Sequence, residues 1–310
     1  MSAVFFGVGV FAARADLLVL RPGASGTGLP GGIVRLDDGR GIAQSEFGAA
    51  NEGFDAMCLG PEGDLYVARD LLGADEIVRF DGAGRLRGKF AAVDGALVQA
   101  MAFGPNGDLY AIVRRYERDS TTAQRSIVRF DGRTGAARGV VIGEGAGGMI
   151  SPAAIAFGAD GMLYVADAQA GVLRFAASGE FIEAVVPRGR GGLEQAAALA
   201  FAPDGNLCVV DAAKDEVLRF AAGDGAFLGA WIAPGYELGA VAFGPDGNFY
   251  ASRGRANQIL RFDGRTGAPM GVFAMDAVLA RAAGLLFIAP PQEQLALAGA
   301  RTGATRLPRS

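Results

Sequence analysis

The side chains that most often carry covalent chemistry are scarce in this chain. It has 310 residues, no histidine and two cysteines, Cys58 and Cys208. A nucleophilic cysteine needs a neighbouring base, most often histidine, to become reactive. Both cysteines replace residues of a recurring phrase, an alanine and a tyrosine respectively, and free cysteine is among the most buried residue types. The sequence therefore predicts two core cysteines rather than nucleophiles.

Arginine recurs at one position of a repeated I/V-x-R-F/L phrase. Equivalent guanidinium groups could bind an anion together, but recurrence in every copy favours a structural role. The planar fork of N–H donors suits a tie to a carboxylate or to turn carbonyls of the neighbouring repeat. These arginines lie about 45 residues apart and are Arg35, Arg79, Arg129, Arg174, Arg219, Arg261 and Arg306.

The repeat supplies the elements that position these groups. Phrases similar to AVAFGPDGNFYAS (240–252) begin at residues 56, 100, 154, 198 and 240, and each is followed by an arginine phrase. Degenerate copies at 7–20 with 33–36, and at 283–299 with 304–307, bring the count to seven. Within a copy, short apolar runs with a period of two alternate with Gly-Pro-Asp-Gly and Asp-Gly-Arg-Thr-Gly turns, which predicts four antiparallel strands.

Four strands in about 45 residues are the unit of a β-propeller blade. The sequence predicts an all-β propeller of four-stranded antiparallel blades, one domain over 1–310. Seven blades are favoured, the last with three strands, and six blades with an extra C-terminal hairpin are the alternative. A three-stranded last blade would leave an open edge able to accept a strand from another chain, so self-association or docking in a larger complex is expected.

The motifs GPDGNFYAS, GADGMLYVAD and ILRFDGRTG resemble NHL-repeat propellers and their bacterial relatives, which include the gluconolactonase/senescence-marker group and streptogramin lyase. The resemblance covers nearly the whole chain and implies the architecture. It does not specify an activity, because this fold serves enzymes, receptors and scaffolds. The lyases depend on histidine, which the chain lacks.

The lactonase branch of these relatives implies a divalent metal held by Glu, Asn and Asp side chains. Asp167 and Asp211 match the position of an acidic ligand, and Glu194 or Glu237 could add another carboxylate. The expected asparagine positions hold Ala154, Ala198 and Gly239-Ala240 instead. A Ca²⁺ ion needs six or more oxygens, so no cofactor is expected in the favoured interpretation, and Ca²⁺ belongs to the alternative one.

Function should lie where the copies differ from one another. The longest variable join is a charged insertion with one aromatic residue, and long loops of this kind are often functional. We expect it to be an interaction loop at the mouth of the central channel. Its residues are Arg114, Arg115, Tyr116, Glu117, Arg118 and Asp119.

The net charge is −4 with both signs interspersed. No basic stripe favours nucleic acid, and no apolar run approaches the ~20 residues of a membrane span. The apolar segment 3–13 resembles a secretion signal but lacks a preceding Lys or Arg and aligns with an inner strand, so the compartment stays open between cytoplasmic and exported.

The favoured function is a non-catalytic propeller that serves as a protein-binding or assembly module in a larger complex. The alternatives are a metal-dependent lactonase-like hydrolase with a degenerate site at the channel mouth, and a carrier that binds a small ligand there.

Overall fold

The computed structural model describes residues 15–21, 31–37, 40–47, 53–70, 75–93, 95–116, 123–253 and 256–288. These residues form antiparallel strands, with 3₁₀ turns at Ala146–Gly148, Arg190–Gly192 and Ala277–Leu279. Over the same ranges, no helix has the length and apolar content needed to cross a membrane.

The strands form six four-stranded antiparallel sheets, which we number as blades from the N-terminus. Blade 1 has β1 (Asp16–Arg21), β2 (Gly32–Leu36) and β3 (Ala43–Phe47); blade 2 has β4 (Gly53–Leu59), β5 (Leu65–Asp70), β6 (Asp75–Phe80) and β7 (Leu86–Val93); blade 3 has β8 (Leu97–Phe103), β9 (Leu109–Tyr116), β10 (Ala123–Phe130) and β11 (Ala137–Ile142); blade 4 has β12 (Pro152–Phe157), β13 (Leu163–Asp167), β14 (Gly171–Phe175) and β15 (Phe181–Pro187); blade 5 has β16 (Ala196–Phe201), β17 (Leu207–Asp211), β18 (Glu216–Phe220) and β19 (Phe227–Ile232); and blade 6 has β20 (Leu238–Phe243), β21 (Phe249–Arg253), β22 (Gln258–Phe262) and β23 (Pro269–Met275). The last strand, β24 (Gly284–Ile288), pairs with β1 and is the inner strand of blade 1.

The ring closes through blade 1. Strand β24 pairs with β1 in the register Leu17 to Phe287 and Leu18 to Leu286. The inner strands β24, β4, β8, β12, β16 and β20 contact one another in a closed cycle. Two segments from opposite ends of the chain therefore build one complete four-stranded blade.

The favoured seven-blade prediction is wrong, and the ring has six blades. The first and last repeat copies are parts of one blade, because β24 occupies the inner position beside β1. For the same reason, the predicted three-stranded last blade, with its third strand as an open edge, is wrong. The predicted C-terminal hairpin of the six-blade alternative lies outside the described residues.

The recurring Tyr and Phe residues of the repeat pack between neighbouring blades. Tyr110 on β9 meets Phe157 on β12 edge to face, with ring centroids 5.0 Å apart, and its hydroxyl donates to the carbonyl of Ala177 in blade 4. The same contact recurs for Tyr66 with Phe103, Tyr164 with Phe201 and Tyr250 with Phe287. Edge-to-face pairs add to the stability already gained from apolar burial.

Blade 5 replaces this tyrosine with Cys208, and Trp231 compensates for the missing ring. Trp231 lies on the outer strand β19 and stacks on Phe243 of blade 6 with centroids 5.8 Å apart. It also lies under the Arg219 guanidinium, 5.7 Å from the ring centroid, as Tyr164 lies under Arg174 in blade 4. The position of the ring changes, but the contact between the blades is kept.

Some of the repeated arginines join neighbouring blades, as predicted. Arg35 donates to the carbonyl of Gly82 at 3.1 Å and to Asp16 at 2.7 Å. Arg174 donates to Gly223 at 3.1 Å in the next blade. In blades 2 and 3 the equivalent arginines pair with carboxylates of their own blade, such as Arg129 with Asp108.

Candidate functional site

The six inner strands surround a central cavity of about 400 Å³. Its walls are mostly alanine, glycine, leucine and methionine, including Met57, Met101, Leu199 and Leu285. A cavity of this size with apolar walls and a few polar groups is typical of a small-molecule site.

Among the described residues that line the cavity, the polar side chains come from blades 2 and 3. Each inner strand of blades 2 to 6 has a register shift near its start, where one residue bulges out of the ladder. A bulge redirects the side chain of the extra residue. The residues at this position all line the cavity and are Asp55, Gln99, Ala153, Ala197 and Gly239 in blades 2 to 6. Only blades 2 and 3 therefore place hydrogen-bonding side chains there.

Asp75, the first residue of β6, lies behind this polar pair. Its side chain is buried, with the residue 3% exposed. Its Oδ2 accepts from the backbone N–H of Val98, the residue before Gln99, at 2.5 Å. Among the described residues, neither Asp75 Oδ1 nor the buried Gln99 Oε1 has a hydrogen-bond partner. Two acceptors are thus left unused beside the Asp55 carboxylate.

The acidic groups on this side of the cavity influence one another's pKa values. Burial raises the pKa of Asp75 to about 7, against the lowering effect of the Val98 hydrogen bond, and Asp55 and Asp70 raise it further. The pKa of Asp55 is also raised, first by burial and then by Asp70, while Arg114 lowers it. A cationic group beside these carboxyls would favour their charged forms and lower their pKa values.

Asp167 and Asp211, the predicted metal ligands, lie at equivalent positions at the ends of β13 and β17. Both are buried. Asp167 accepts from the backbone N–H groups of Ile150 and Ser151, each at 2.7 Å, and of Gln169 and Ala170 at 2.9 Å. Each carboxylate thereby fixes the segment leading into its own inner strand.

Asp211 has a similar environment, since it accepts from the backbone N–H groups of Glu194 and Gln195. The Glu194 carboxylate pairs with Lys214 at 3.4 Å, and Glu237 is exposed. Across the described ranges, no group of three or more His, Cys, Asp or Glu residues is arranged to hold a metal ion. The metal site at Asp167 and Asp211 stays a prediction.

The predicted interaction loop begins where β9 ends. Arg114 is half-buried, whereas Arg115 and Tyr116 are exposed, and the Arg114 guanidinium lies over the Tyr116 ring at 5.1 Å. Because Arg114 also lowers the pKa of Asp55, this end of the loop lies at the mouth of the cavity. Glu117, Arg118 and Asp119 are outside the described residues.

Both cysteines are buried core residues, as predicted. Burial raises the pKa of the Cys208 thiol to about 12, and it raises the pKa of Cys58 as well. A thiol that stays protonated is a poor nucleophile.

Sequence reasoning missed Asp55, Gln99 and Asp75. The signal for the first two was present, because the column immediately before each AxAF-like phrase reads Asp, Gln, Ala, Ala and Gly from blade 2 to blade 6. Asp75 could not be found in this way, because its relation to Val98 depends on how blades 2 and 3 pack.

No family model and no curated protein matches this chain. The similar solved structures include a nidogen/laminin complex, with a TM-score of 0.68 and 16% identity over 88% of this chain and 98% of that one. A protein of unknown function from Bacteroides caccae has a TM-score of 0.61 and 14% identity, covering 89% and 99% of the two chains. A streptogramin B lyase has a TM-score of 0.54 and 17% identity, covering 90% and 93%.

These similarities show the β-propeller fold. The expected likeness to streptogramin lyase is confirmed at that level, and no family model supports NHL repeats in particular.

Proposed function

We propose that this chain is a non-catalytic propeller that binds a protein partner through the outer strands of blades 4, 5 and 6. The observation that carries the proposal is that the second residue of the outer strand is apolar and exposed in these three blades, although blades 2 and 3 also expose Leu86 and Val140 at other positions of their outer strands. The second residues of these outer strands are Ile182, Leu228 and Met270, which are 45%, 52% and 47% exposed.

The equivalent positions in blades 1, 2 and 3 are polar. They hold Gln44, Arg87 and Arg138. Arg87 pairs with Asp81 and Arg138 with Asp131 in the adjacent turns. A polar residue is therefore compatible with the fold at this position, yet three consecutive blades have an apolar residue there.

Further exposed apolar side chains lie on the same three outer strands. We call the whole set the apolar arc: Phe181, Ile182, Phe227, Leu228, Met270, Val272 and Met275. Contiguous exposed apolar surface on a folded protein commonly marks an interaction site. A register shift interrupts each of the three outer strands, and such bulges oppose the addition of a long extra strand. The arc is therefore suited to contact through side chains.

The occupant we propose is a different protein with an apolar surface that curves around the rim. The arc follows the convex circumference of the ring, so two copies facing each other would touch over only a small part of it. Covering three blades requires a partner that bends around them. This supports a role as a subunit of a larger assembly.

The chemistry of the described side chains supports a non-catalytic role. The buried thiols stay protonated, and the carboxylates of Asp167 and Asp211 accept backbone hydrogen bonds. Turnover of a lactone in the presence of Ca²⁺ that disappears in D167N, with folding retained, would contradict this part of the proposal.

The test uses the full chain with I182Q/L228Q/M270Q, which copies the glutamine of blade 1. The matched control, R87Q/R138Q, changes the same position in blades 2 and 3. We expect a protein from the native source to bind the unaltered chain and the control, and the arc variant to lose binding by at least about 100-fold with the purified partner, as expected for several central apolar contacts.

Equal binding of that protein to the arc variant would refute the proposed surface. Sedimentation of the unaltered chain tests whether the arc is covered by a second copy of the chain instead of a different protein. If it self-associates and the arc variant is monomeric, the arc is covered by a second copy and the proposal of a different partner is wrong.

A further inference from the structure

The polar side of the central cavity has a chemistry that the apolar arc does not explain. Asp55 and Gln99 line the cavity, and Asp75 is held directly behind them by its hydrogen bond to Val98. Around the rest of the ring the equivalent bulge positions are Ala153, Ala197 and Gly239. Asp55 and Gln99 are therefore local to blades 2 and 3, whereas the Asp75–Val98 hydrogen bond has an equivalent in Asp215, which accepts from the backbone N–H of Leu238.

The unused hydrogen-bonding capacity at this place consists of acceptors. Asp75 is 3% exposed, and its Oδ1 has no partner within the part of the chain that the structure describes. The buried Oε1 of Gln99 is likewise unpaired there. Buried polar atoms nearly always have a partner in native proteins. A donor supplied by a ligand in the cavity would complete the oxygen of Gln99, which lines it.

The charge at this place specifies the type of donor. Asp55, Asp70 and Asp75 interact electrostatically, and Arg114 is the cation that opposes them at Asp55. An excess of carboxylates favours a cation. A metal ion is disfavoured because the described residues offer no group of three or more ligating side chains. An ammonium group has a positive charge and three N–H donors, which matches the unpaired Gln99 oxygen and the Asp55 carboxylate.

We propose that the blade 2–blade 3 side of the central cavity binds a small organic molecule through a protonated primary amino group. The ammonium donates to Asp55 and to Gln99 Oε1, the two polar residues that line the cavity. The apolar body of the molecule lies against the alanine, leucine and methionine walls of the cavity, whose volume of about 400 Å³ is in the range of small-molecule sites.

The test compares four probes on the full chain by calorimetry or ligand-observed NMR: hexylamine, hexanol, hexanoate and hexyltrimethylammonium. We expect hexylamine to bind at least about 10-fold more tightly than the other three, because loss of a charged hydrogen bond usually has an effect of this size or larger. Hexyltrimethylammonium keeps the charge but has no N–H donor, so it separates hydrogen bonding from simple attraction.

Two variants test the residues. D55N should lower the affinity for hexylamine by at least about 10-fold. The control E180Q removes the same charge from an exposed turn residue of blade 4 and should leave the affinity unchanged. Q99L removes the amide acceptor. It should weaken the binding of hexylamine, and it should not make hexyltrimethylammonium the preferred probe. Thermal unfolding of each variant shows whether the fold is kept.

Equal affinity for hexylamine and hexanol would overturn the proposal, as would equal hexylamine binding by D55N and E180Q. Binding of Ca²⁺ alone that is lost in D55N, without binding of hexylamine, would identify a metal site and also overturn it. The variant I182Q/L228Q/M270Q should bind hexylamine normally, so failure at the cavity and failure at the apolar arc are distinguishable.

Discussion

A disulfide between β1 and β24 would test ring closure within one molecule. Leu18 and Leu286 lie directly opposite each other on these antiparallel strands. Directly opposite Cβ atoms are about 4.5–5.5 Å apart, and a disulfide needs about 3.5–4.5 Å. A small adjustment of the two strands is therefore sufficient. We expect the double variant L18C/L286C to form an intramolecular disulfide when it is oxidised.

The size of the effect follows from the loop that this bond would close, which covers nearly the whole chain. The chain-entropy treatment gives about 4.7 kcal/mol for a loop of ~100 residues and rises slowly with length, so about 5.6 kcal/mol is the upper expectation for this loop, and strain reduces it toward about 2–4 kcal/mol. Comparing the oxidised with the reduced form of the same variant cancels the cost of replacing two leucines.

The assay combines non-reducing electrophoresis with urea unfolding in the presence and absence of dithiothreitol. The single variants L18C and L286C control for reaction with the native thiols, which are buried. We expect a monomeric cross-linked species with a higher free energy of unfolding. Closure within one chain is refuted if the cross-link forms only between molecules, because β24 would then be exchanged between copies, or if no bond forms while the fold is intact.

Two further predictions concern Asp75 and Trp231. The pKa of Asp75 is about 7 in the folded protein against an ordinary 3.8, so the unfolded chain loses this proton at lower pH than the folded protein does. The free energy of unfolding should therefore fall by up to about 4 kcal/mol between about pH 4 and pH 7, relative to D75N, and stay level above that. Parallel pH profiles of urea unfolding for the two proteins would contradict this. W231A should lower the free energy of unfolding by about 2 kcal/mol, because Trp231 is half-buried against Phe243. C208Y should destabilise W231A less than it destabilises the unaltered chain, since the new tyrosine could then make the contact that Trp231 made. A double-mutant cycle measures this coupling, and additive effects would show that the two residues do not substitute for each other.

The strands and turns could be predicted because each copy of the repeat encodes them locally. The Gly244–Gly247 turn is an example: the N–H of Gly247 donates to the carbonyl of Gly244 at 3.0 Å, and Gly247 has a φ of 76° that favours glycine. The number of blades could not be predicted in this way. It depends on the pairing of Leu17 with Phe287, which joins residues from opposite ends of the chain, and no local pattern specifies such a partner.

The candidate site was partly hidden for a related reason. Asp167 and Asp211 stand out in the sequence because acidic residues recur there, but their shared environment of backbone N–H donors explains that recurrence structurally. Asp55 and Gln99 differ between copies and lie one residue outside the recurring phrase. Their relevance depends on the bulge that directs them into the cavity, which is a property of strand pairing.

The substitution of Cys208 and Trp231 for the usual tyrosine indicates how tightly the contact between blades is constrained. The aromatic side chain lies on a different strand in blade 5, yet it still packs on Phe243 of the next blade and still lies under an arginine. Positions that maintain such contacts have little freedom to acquire a binding role, because a change in one blade must be compensated in its neighbour. The bulge of the inner strand and the second residue of the outer strand take no part in these aromatic contacts, and both vary in chemistry around the ring. Selection for binding can therefore act at these two positions while leaving the fold unchanged, and this is why the polar side of the cavity and the apolar arc can differ from blade to blade.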